Sequence, residues 1–326
     1  MLEGKSILVT GATGSFGRKF VEIVLQNYKP RRIIVFSRDE LKQFEMRQTF
    51  PGGPATPMRY FIGDVRDAKR LVRAFNGVDV VVHAAALKQV PVCEYNPFEA
   101  IKTNILGTKN VIDAAIVNGV ERVMHISTDK AVNPINLYGA TKLCAEKMLI
   151  QANTYSATGS GGTKFSVCRY GNVIGSRGSV VPLFKKQKAT GKITVTDERM
   201  TRFWVTLEQG VRFVLNSMAI MQGGEVFIPK IPSTSIMALA KAVAPGCEVE
   251  TIGIRVGEKL HEVLLSSDEA RTALEVEDFY VIPPDFVWWK QDKVGKAKKL
   301  PEGFKYTSDT DGPKLSADDL LKLIDQ

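Results

Sequence analysis

The sequence predicts an α/β fold in which a doubly wound parallel sheet carries a smaller C-terminal lobe. From the N-terminus to about Tyr170, short apolar runs alternate with amphipathic helical patterns, which is typical of a parallel sheet covered by helices on both faces. Runs such as Val78–Val82 have no polar face, as expected for strands that are buried on both sides. After Tyr170 this alternation stops and glycine-rich segments with arginines follow. The second half therefore does not repeat the first.

The composition indicates a soluble globular protein. The chain has 326 residues, enough for one large domain or two smaller ones. It lacks an apolar run of the roughly 18 residues that span a membrane, and it enters a strand almost at once, so we expect no membrane partner and no signal peptide. The net charge of +9 comes mostly from scattered basic residues without a nucleic-acid-binding module. A phosphate-rich small ligand, or solubility alone, explains this charge better than nucleic acid does.

The cysteines predict neither a metal site nor disulfides. Cys93, Cys144, Cys168 and Cys247 lie far apart, without the spacing of metal ligands. The first three fall inside apolar patterns, which favours buried thiols. This usage fits a reducing cytoplasm.

The first strand and helix predict a dinucleotide site. The apolar strand Ser6–Thr10 leads into G-A-T-G-S-F-G, and the helix Arg18–Tyr28 follows. Glycines at this spacing let the backbone turn tightly and approach a pyrophosphate, which then faces the positive end of the helix. This makes the doubly wound sheet Rossmann-like.

The end of the second strand favours NADP over NAD. Sites that prefer NAD usually place an acidic residue there, on the ribose 2′-hydroxyl. Here Arg32–Phe36 is followed by Ser37 and Arg38, and Arg38 can pair with a 2′-phosphate. Asp39 comes one residue late and is interpreted as the cap of a helix over Glu40–Phe50.

The third and fourth strands complete the predicted cofactor side. Asp64, the last residue of the strand Arg59–Asp64, and the following Val65 are expected near the adenine. The small residues Ala84 to Ala86 follow Val78–Val82 and leave room for the cofactor to pass. A long helix is predicted over Asn96–Val117, and its Asn104 is expected to bond a neighbouring strand end.

The segment from Ser127 to Lys142, after the strand Arg122–Ile126, carries the predicted chemistry. Tyr138 and Lys142 are four residues apart and share one face of a helix. A lysine held there lowers the pKa of the phenol from about 10, which lets the tyrosine accept a proton from an alcohol. Asp129 and Lys130 lie at the carboxyl end of the strand, where open α/β sheets bind ligands. The same residues also suit a helix surface and a capped turn, so this interpretation depends on a cofactor site facing them.

The later elements divide the chain into two parts. After the strand Phe165–Tyr170, the glycine-rich stretch 171–179 and the pair Arg199 and Arg202 suit anionic groups. The helix Thr206–Met221 and strand Glu225–Pro229 return to the sheet, a helix over Ser233–Ala244 and a strand over Val249–Ile254 follow, and a last helix starts at Ala317. We therefore assign residues 1–172 and about 206–230 to a Rossmann domain, and residues 173–205 and 231–326 to a substrate lobe.

Together these segments resemble the extended short-chain dehydrogenase/reductase superfamily, whose paired motifs are G-A-T-G-S-F-G and Y-x-x-x-K. A more specific similarity is to inverting UDP-N-acetylglucosamine 4,6-dehydratases, the first enzymes of bacterial pseudaminic acid synthesis. Its motifs are F-S-R-D-E, S-T-D-K-A-x-N-P-I-N-L-Y-G-A-T-K, R-Y-G-N-V, G-S-R-G-S-V-V-P and G-E-K-L-H-E. The similarity spans residues 1 to about 284 and is weaker beyond Trp288.

The resemblance implies roles for the matching residues. It makes Thr128, Asp129, Lys130 and Tyr138 catalytic, with Lys142 on the nicotinamide ribose. The residues expected to contact NADP are Gly11, Thr13, Gly14, Ser15, Phe16, Gly17, Ser37, Arg38, Asp64, Val65, Ala84, Ala85, Ala86, Lys88, Asn104, Tyr138 and Lys142. Those expected to contact UDP-N-acetylglucosamine are Lys88, Asn172, Arg177, Val180, Arg202 and Glu258. The resemblance also implies a homo-oligomer formed through the helix of the Y-x-x-x-K motif.

The implied reaction assigns a task to each catalytic residue. Tyr138 takes the 4-hydroxyl proton while NADP accepts hydride from C4, water is lost across C5 and C6, and hydride returns to C6. Asp129 is assigned to the leaving 6-hydroxyl and Lys130 to proton exchange at C5, and the reverse assignment stays open. Lys130 can be a base only if its pKa falls well below about 10.4. Tyr138 also argues against a related branch that epimerises C3 and tends to carry Met at this position.

Two other functions remain open on the sequence. A nucleotide-sugar 4-epimerase would use the same fold and tyrosine without elimination. A non-catalytic NADP-sensing protein would bind the cofactor without turnover, although the intact Tyr138 and Lys142 pair disfavours it.

Overall fold

A computed structural model describes residues 1–156, 161–175, 179–310, 315 and 319 of the chain. Its strands are β1 Ser6–Thr10, β2 Arg32–Ser37, β3 Met58–Ile62, β4 Val80–His83, β5 Arg122–Thr128, β6 Lys164–Tyr170, β7 Asn172–Val173, β8 Lys192–Val195, β9 Thr201–Val205, β10 Val226–Pro229, β11 Ser233–Ser235, β12 Glu248–Thr251, β13 Val263–Leu265, β14 Leu274–Glu275, β15 Phe279–Ile282, β16 Lys298–Lys299 and β17 Tyr306–Thr307. Its α-helices are α1 Ser15–Asn27, α2 Glu40–Thr49, α3 Ala68–Ala74, α4 Val90–Tyr95, α5 Pro97–Ile101, α6 Gly107–Val117, α7 Leu137–Ala152, α8 Val180–Lys188, α9 Leu207–Ile220, α10 Ile236–Val243 and α11 Ser267–Ala270. A π-helical turn over Lys102–Leu106 joins α5 to α6, and 3-10 turns occupy Asp129–Ala131 and Gln291–Val294.

The predicted doubly wound parallel sheet is present. Its strand order is β16-β14-β15-β10-β6-β5-β4-β1-β2-β3, and the seven strands from β10 to β3 run parallel. The order reverses between β1 and β4, whose crossovers lead to opposite edges of the sheet. In such sheets ligands bind at the carboxyl ends of the strands beside this switch point. The sheet therefore places the ends of β1, β4 and β5 around one crevice.

The inner strands are buried because both faces of the sheet are covered. All five residues of β1 and all four residues of β4 are buried, and their apolar side chains belong to the main hydrophobic core. This core includes the inner faces of α1, α6 and α9. Burial on this scale stabilises the sheet by about 25 cal/mol for each Å² of apolar surface removed from water.

A second hydrophobic core forms the lobe. It joins α8, β8, β9 and α10 around Phe184, Ile193, Trp204 and Leu239. The strands of this region form a three-stranded sheet of β11, β9 and β7 and a parallel pair of β12 and β8. The lobe thus has its own packing. Its strand β7 follows directly on β6, which places the lobe beside the carboxyl end of the large sheet.

The end of the described chain differs from the predicted division into domains. Residues 231–326 are all predicted to belong to the lobe, but β15 pairs antiparallel with β10, β14 with β15 and β16 with β14, so these three strands extend the large sheet. Tyr280 and Val281 of β15 are buried in the main core. The physical reason is that β10 would otherwise leave an open edge, which an apolar run such as Phe279–Ile282 can cover.

Two predicted helices are interrupted for local reasons. The helix expected over Asn96–Val117 contains the π-helical turn, which brings the side chain of Asn104 within hydrogen-bonding distance of the backbone of Leu87. The helix expected over Ser233–Ala244 begins at Ile236, because Ser235 caps it through the amide of Ala238 and the preceding residues pair with β9. The last predicted helix, from Ala317, lies outside the described residues. No helix in the described part of the chain is both long and apolar enough to cross a membrane.

Candidate active site

A cavity of about 630 Å³ lies at the switch point of the sheet. The predicted cofactor residues that line it are Gly11, Thr13, Gly14, Ser15, Phe16, Gly17, Ser37, Arg38, Asp64, Val65, Ala84, Ala85, Ala86, Lys88, Tyr138 and Lys142. Thr128 and Lys130 line it as well. The fold thus brings the glycine-rich turn and the catalytic segment, more than a hundred residues apart in sequence, to one crevice.

The glycine-rich turn has the shape that a dinucleotide cradle requires. Gly11 has a φ of +68°, and a Cβ there would lie 2.9 Å from the backbone of Ala85. A Cβ on Gly17 would lie 2.4 Å from the Cα of Ala12 and would separate α1 from the turn. Only glycine fits these positions, and the turn opens into the N-terminus of α1, where backbone amides attract anions. These residues therefore fit the pyrophosphate of a dinucleotide.

Two basic residues, Arg38 and Lys42, line the cavity beyond the end of β2. Arg38 is half exposed on the cavity wall, and its guanidinium is 3.6 Å from the carboxylate of Asp64. Asp39 caps α2 by accepting a hydrogen bond from the amide of Lys42, which confirms the predicted cap. The Lys42 side chain also lines the cavity, and the sequence analysis did not single it out.

Asn104 is the one predicted cofactor residue that the structure does not place on the cavity wall. It is buried, its Oδ1 accepts a hydrogen bond from the Leu87 amide at 2.9 Å, and its Nδ2 donates to the Leu87 carbonyl and the Thr141 hydroxyl. It ties the segment after β4 to α7. The neighbouring Thr103 lines the cavity instead.

Tyr138 is buried beside Thr128 and Lys130. Burial raises the pKa of its phenol to about 12, although the Lys130 ammonium and a hydrogen bond with Thr128 act in the opposite direction. The sequence analysis expected Lys142 to lower this pKa. The expected lowering is not found, because the phenol loses its hydration on burial and this outweighs the effect of the nearby positive charge. That charge belongs to Lys130.

Lys142 instead reaches the end of β5. Its Nζ lies 2.7 Å from the Nε2 of His125 and donates to the Ile126 carbonyl at 2.7 Å. Burial lowers the pKa of Lys142 to about 7, and the Glu146 carboxylate only partly offsets this. Burial also lowers the pKa of His125 well below its usual range, so its ring is neutral.

Asp129 and Lys130 form the charged centre of the site. The Lys130 ammonium is 3.1 Å from Asp129 Oδ1 and 3.0 Å from Glu262 Oε1. Thr128 Oγ1 donates to Asp129 Oδ1 at 2.9 Å, which links this pair to Tyr138. Burial raises the pKa of Asp129 even though Lys130 opposes it. Asp129 can therefore hold a proton more easily than an exposed aspartate.

Lys130 could act as a base only if its pKa were well below the ordinary value, and the structure gives the opposite shift. Burial by itself would lower the pKa of Lys130, but the carboxylates of Asp129 and Glu262 outweigh it and raise that pKa above the ordinary value. In this arrangement Lys130 is a charged ammonium. It does not meet the condition that a base requires, because no second positive charge outweighs its two carboxylate neighbours.

A second cavity of about 570 Å³ opens between the catalytic segment and the lobe. The predicted substrate residues Asn172, Val180, Arg202 and Glu258 line it, whereas Lys88 lines the first cavity. Arg177 lies outside the described residues. Lys130, Asn172 and Val180 line both cavities, so Lys130 lies where the two cavities meet.

The sequence analysis missed several residues of the second cavity. Lys186, Arg255, Lys259 and Glu262 line it, and the last two belong to the G-E-K-L-H-E motif. The Arg202 guanidinium donates to the carbonyls of Lys259 and Leu260 and so holds this motif against the cavity. Its remaining nitrogen, Nε, is 3.8 Å from Glu262 Oε1. The described residues contain no cluster of histidine, cysteine and acidic side chains that could hold a metal ion.

Comparison with known proteins gives the family. Residues 7–284 match the family described as Polysaccharide biosynthesis protein. The chain belongs to this family. The chain is also 53% identical over 333 residues to a Campylobacter jejuni protein named UDP-N-acetylglucosamine 4,6-dehydratase (inverting). The alignment covers 99% of this chain and 98% of that protein. This confirms the similarity that the motifs indicated.

Solved structures support the fold of this polysaccharide biosynthesis family member. Pen from Bacillus thuringiensis aligns with a TM-score of 0.89 at 41% identity, covering 99% of this chain and 98% of that chain. DesIV, a dTDP-glucose 4,6-dehydratase from Streptomyces venezuelae solved with NAD bound, aligns with a TM-score of 0.69 at 24% identity, covering 78% of this chain and 86% of that chain. The Rossmann-like fold is thus shared with nucleotide-sugar enzymes.

Proposed function

We propose that the protein is an inverting UDP-N-acetylglucosamine 4,6-dehydratase. The observation that carries this proposal is the position of Lys130, which lies beside Asp129, Thr128 and Tyr138 where the two cavities meet. A substrate in the lobe cavity would then present its sugar to a cofactor in the sheet cavity. The similarity to the Campylobacter jejuni dehydratase over almost the full chain supports the choice of reaction.

The cofactor is a nicotinamide dinucleotide, and we propose NADP. When bound, it supplies a reversible hydride acceptor. The glycine-rich turn fits its pyrophosphate, and Arg38 with Lys42 supplies positive charge where a 2′-phosphate would lie. The carboxylate of Asp39 is engaged within the protein, since it caps α2 and pairs with the Lys42 ammonium.

The catalytic side chains divide the proton transfers. Tyr138 takes the proton from the 4-hydroxyl after its own phenol proton has been lost, a loss that burial opposes and the positive charge of Lys130 favours, and Thr128 orients the phenol. The resulting C4 ketone acidifies the proton on C5. We assign the removal of this proton to Lys130. Asp129 gives its proton to the departing 6-hydroxyl, a task that its raised pKa favours. The Lys130 ammonium pairs with the carboxylates of Asp129 and Glu262. Lys130 must therefore lose a proton to one of its neighbours before it can act as the base at C5.

The lobe cavity fits the charged part of a nucleotide sugar. Lys186, Arg255 and Lys259 line it, and Arg202 holds the loop that carries two of these residues. Basic side chains around a cavity suit the diphosphate of UDP. Glu258 and Asn172 supply polar contacts at its wall.

We also propose that the protein is a homo-oligomer. Tyr95, Phe98 and Leu106 are exposed on the segments that pack against α7, the helix of the Y-x-x-x-K motif. Cys144 on α7 is exposed as well. Large apolar side chains clustered around one helix are typical of a surface that another subunit covers. The cytoplasm stays the proposed compartment, in which the cysteines remain reduced.

Mass spectrometry of the product tests the reaction class. Incubation with UDP-N-acetylglucosamine and NADP is expected to give a nucleotide sugar that has lost one water. An unchanged mass with a new sugar stereoisomer would indicate a 4-epimerase instead, and bound cofactor without turnover would indicate a non-catalytic protein.

A further inference from the structure

Glu262 is a buried carboxylate that reaches the catalytic lysine from the other side of the site. It lies just before β13 and is 2% exposed. Its backbone is fixed on both sides, because its amide donates to Ser308 Oγ at 2.9 Å and its carbonyl accepts from the Ser308 amide at 2.9 Å. Its Oε1 lies 3.0 Å from the Lys130 ammonium.

A purely structural role does not explain this carboxylate. Its second oxygen, Oε2, is buried and has no hydrogen-bond partner among the described residues, and the same holds for Oδ2 of Asp129. A buried carboxylate normally stabilises a fold only when both oxygens are satisfied, since a buried oxygen without a hydrogen bond loses its hydration and gains nothing in return. Glu262 therefore contacts Lys130 through one oxygen, and its other oxygen is buried without a partner among the described residues.

The charges around Lys130 show what Glu262 contributes. Asp129 precedes Lys130 on the same turn, Glu262 approaches from the segment before β13, and Arg202 comes from β9. Asn172 of β7 offers a neutral oxygen at 3.4 Å, and Lys259 donates to the Val132 carbonyl close by. The two carboxylates are the only negative groups within ion-pair distance of the ammonium in the described chain. Removal of the Glu262 carboxylate would leave Asp129 as the acidic partner of Lys130 and would take from Arg202 its acidic neighbour, while its bonds to the carbonyls of Lys259 and Leu260 would remain.

We propose that Glu262 is a positioning residue for the dehydration, which holds Lys130 at the junction of the two cavities and keeps it charged before the substrate binds. This inference rests on the proposed function for its role in turnover. The ion pair itself is present in the protein without substrate. Glu262 and Lys130 both line the lobe cavity, so a sugar bound there would lie next to their ion pair.

Glu262→Gln isolates the charge, because it keeps the size of the side chain and an oxygen acceptor. Protein labelled with ¹³C at the lysine ε-carbons reports the ionisation of each lysine by NMR, and the Lys130 signal is identified by its loss in Lys130→Met. An opposite charge within about 4 to 6 Å typically shifts a pKa by about 1 to 3 units. We therefore expect the Lys130 signal to begin titrating about 1 to 3 pH units lower in Glu262→Gln than in the unmodified protein.

Glu250→Gln is the matched control, since Glu250 is an exposed residue of β12 that pairs with Lys192. It should leave the Lys130 signal unchanged. Glu262→Asp, which keeps the charge on a shorter side chain, should shift the onset less than Glu262→Gln does, and it serves if the glutamine variant does not fold. A Lys130 signal with the same onset in both Glu262 variants and the unmodified protein, or one that stays at its charged position throughout in all of them, would overturn the proposal.

Turnover gives a second readout that a role in folding alone would not produce. In Glu262→Gln we expect kcat to fall on the order of 10²-fold, because a glutamine cannot take the proton that Lys130 must lose before it acts as the base, with little change in KM or in NADP affinity. Glu262→Asp should recover part of this loss. The titration uses no substrate, so it tests the hold of Glu262 on Lys130 even if the unmodified protein does not dehydrate UDP-N-acetylglucosamine. Failure to turn over would refute the proposed function, whereas unchanged kcat in Glu262→Gln of an active enzyme would refute this inference.

Discussion

The Nζ of Lys142 lies 2.7 Å from the Nε2 of His125. The His125 ring packs at a tilt against the His83 ring, with 5.0 Å between centroids, and both histidines are buried. His83 is held by the hydroxyls of Thr10 and Thr108 at 2.7 and 3.0 Å. The Y-x-x-x-K lysine is thus anchored, in the absence of ligands, by a neutral polar chain that runs across the ends of β5, β4 and β1.

This anchoring predicts a pH dependence of stability. The pKa of Lys142 is lowered from 10.5 to about 7 in the folded protein, so between these values the unfolded chain binds more protons than the folded one. Stability should therefore rise with pH through this window. Urea unfolding of the ligand-free protein should show a larger rise between about pH 7 and pH 9 than unfolding of Lys142→Met does. Equal slopes for the two proteins would mean that Lys142 is not desolvated in solution.

Thr128 is expected to contribute to catalysis through its hydroxyl. Its Oγ1 donates to Asp129 Oδ1 at 2.9 Å, and the same side chain bonds the phenol of Tyr138. Thr128→Val keeps the shape and removes these bonds, so kcat should fall on the order of 10²-fold while NADP affinity is unchanged. Thr128→Ser retains the hydroxyl and should stay within a few-fold of the unmodified enzyme. Similar activity in the Val and Ser variants would exclude this role.

The fold and the site differ in how far the sequence predicts them. The strands β1 to β6 follow from local patterns, because each is a short apolar run and parallel strands buried on both faces tolerate little else. Gly11 and Tyr138 could be assigned to one site because the switch point of such a sheet is fixed by its topology. Glu262 could not, because its partner Lys130 is 132 positions away and no local pattern pairs them.

The ionisation states could not be predicted for a related reason. The motif indicated that Lys142 acts on Tyr138, yet the pKa of each group depends on burial and on charges that tertiary packing brings close. The positive charge near the phenol is Lys130, and Lys142 is held by His125. The place of β15 in the large sheet is also set by tertiary pairing, since an isolated apolar run such as Phe279–Ile282 does not reveal which edge it covers.

Cofactor preference is expected to depend on Arg38. Its guanidinium lines the cavity near Asp64 and is half exposed, which leaves it able to bind a 2′-phosphate. Arg38→Ala should weaken NADP by about 10- to 100-fold, the range expected for a hydrogen bond to a charged group, and should change NAD affinity little. Calorimetric titration with both cofactors measures this. The control is Arg47→Ala. Arg47 lies on α2, its guanidinium stacks over the ring of Tyr60, and it does not line the cavity. Equal affinities for NADP and NAD in the unmodified protein would contradict the preference.

The oligomer is expected to form through the surface around α7. Phe98 is 73% exposed there, and Phe98→Glu places a charge in the proposed contact. Light scattering at micromolar concentration should show an oligomer for the unmodified protein and a larger monomer fraction for Phe98→Glu. Val287→Glu changes a side chain that is 97% exposed elsewhere and should leave assembly unchanged. A monomeric unmodified protein would exclude the proposal.

The stereochemistry of the product tests the proposed reaction most directly. Incubation of the protein with UDP-N-acetylglucosamine and NADP in deuterated water, followed by NMR, should yield a 4-keto-6-deoxy sugar of the L-configuration with deuterium at C5. Lys130→Ala should give neither water loss nor exchange at C5 while still binding NADP, and Tyr138→Phe should form no reduced cofactor. A product that keeps the D-configuration at C5, a 4-epimer that has lost no water, or near-normal turnover by Lys130→Ala would contradict the proposed function.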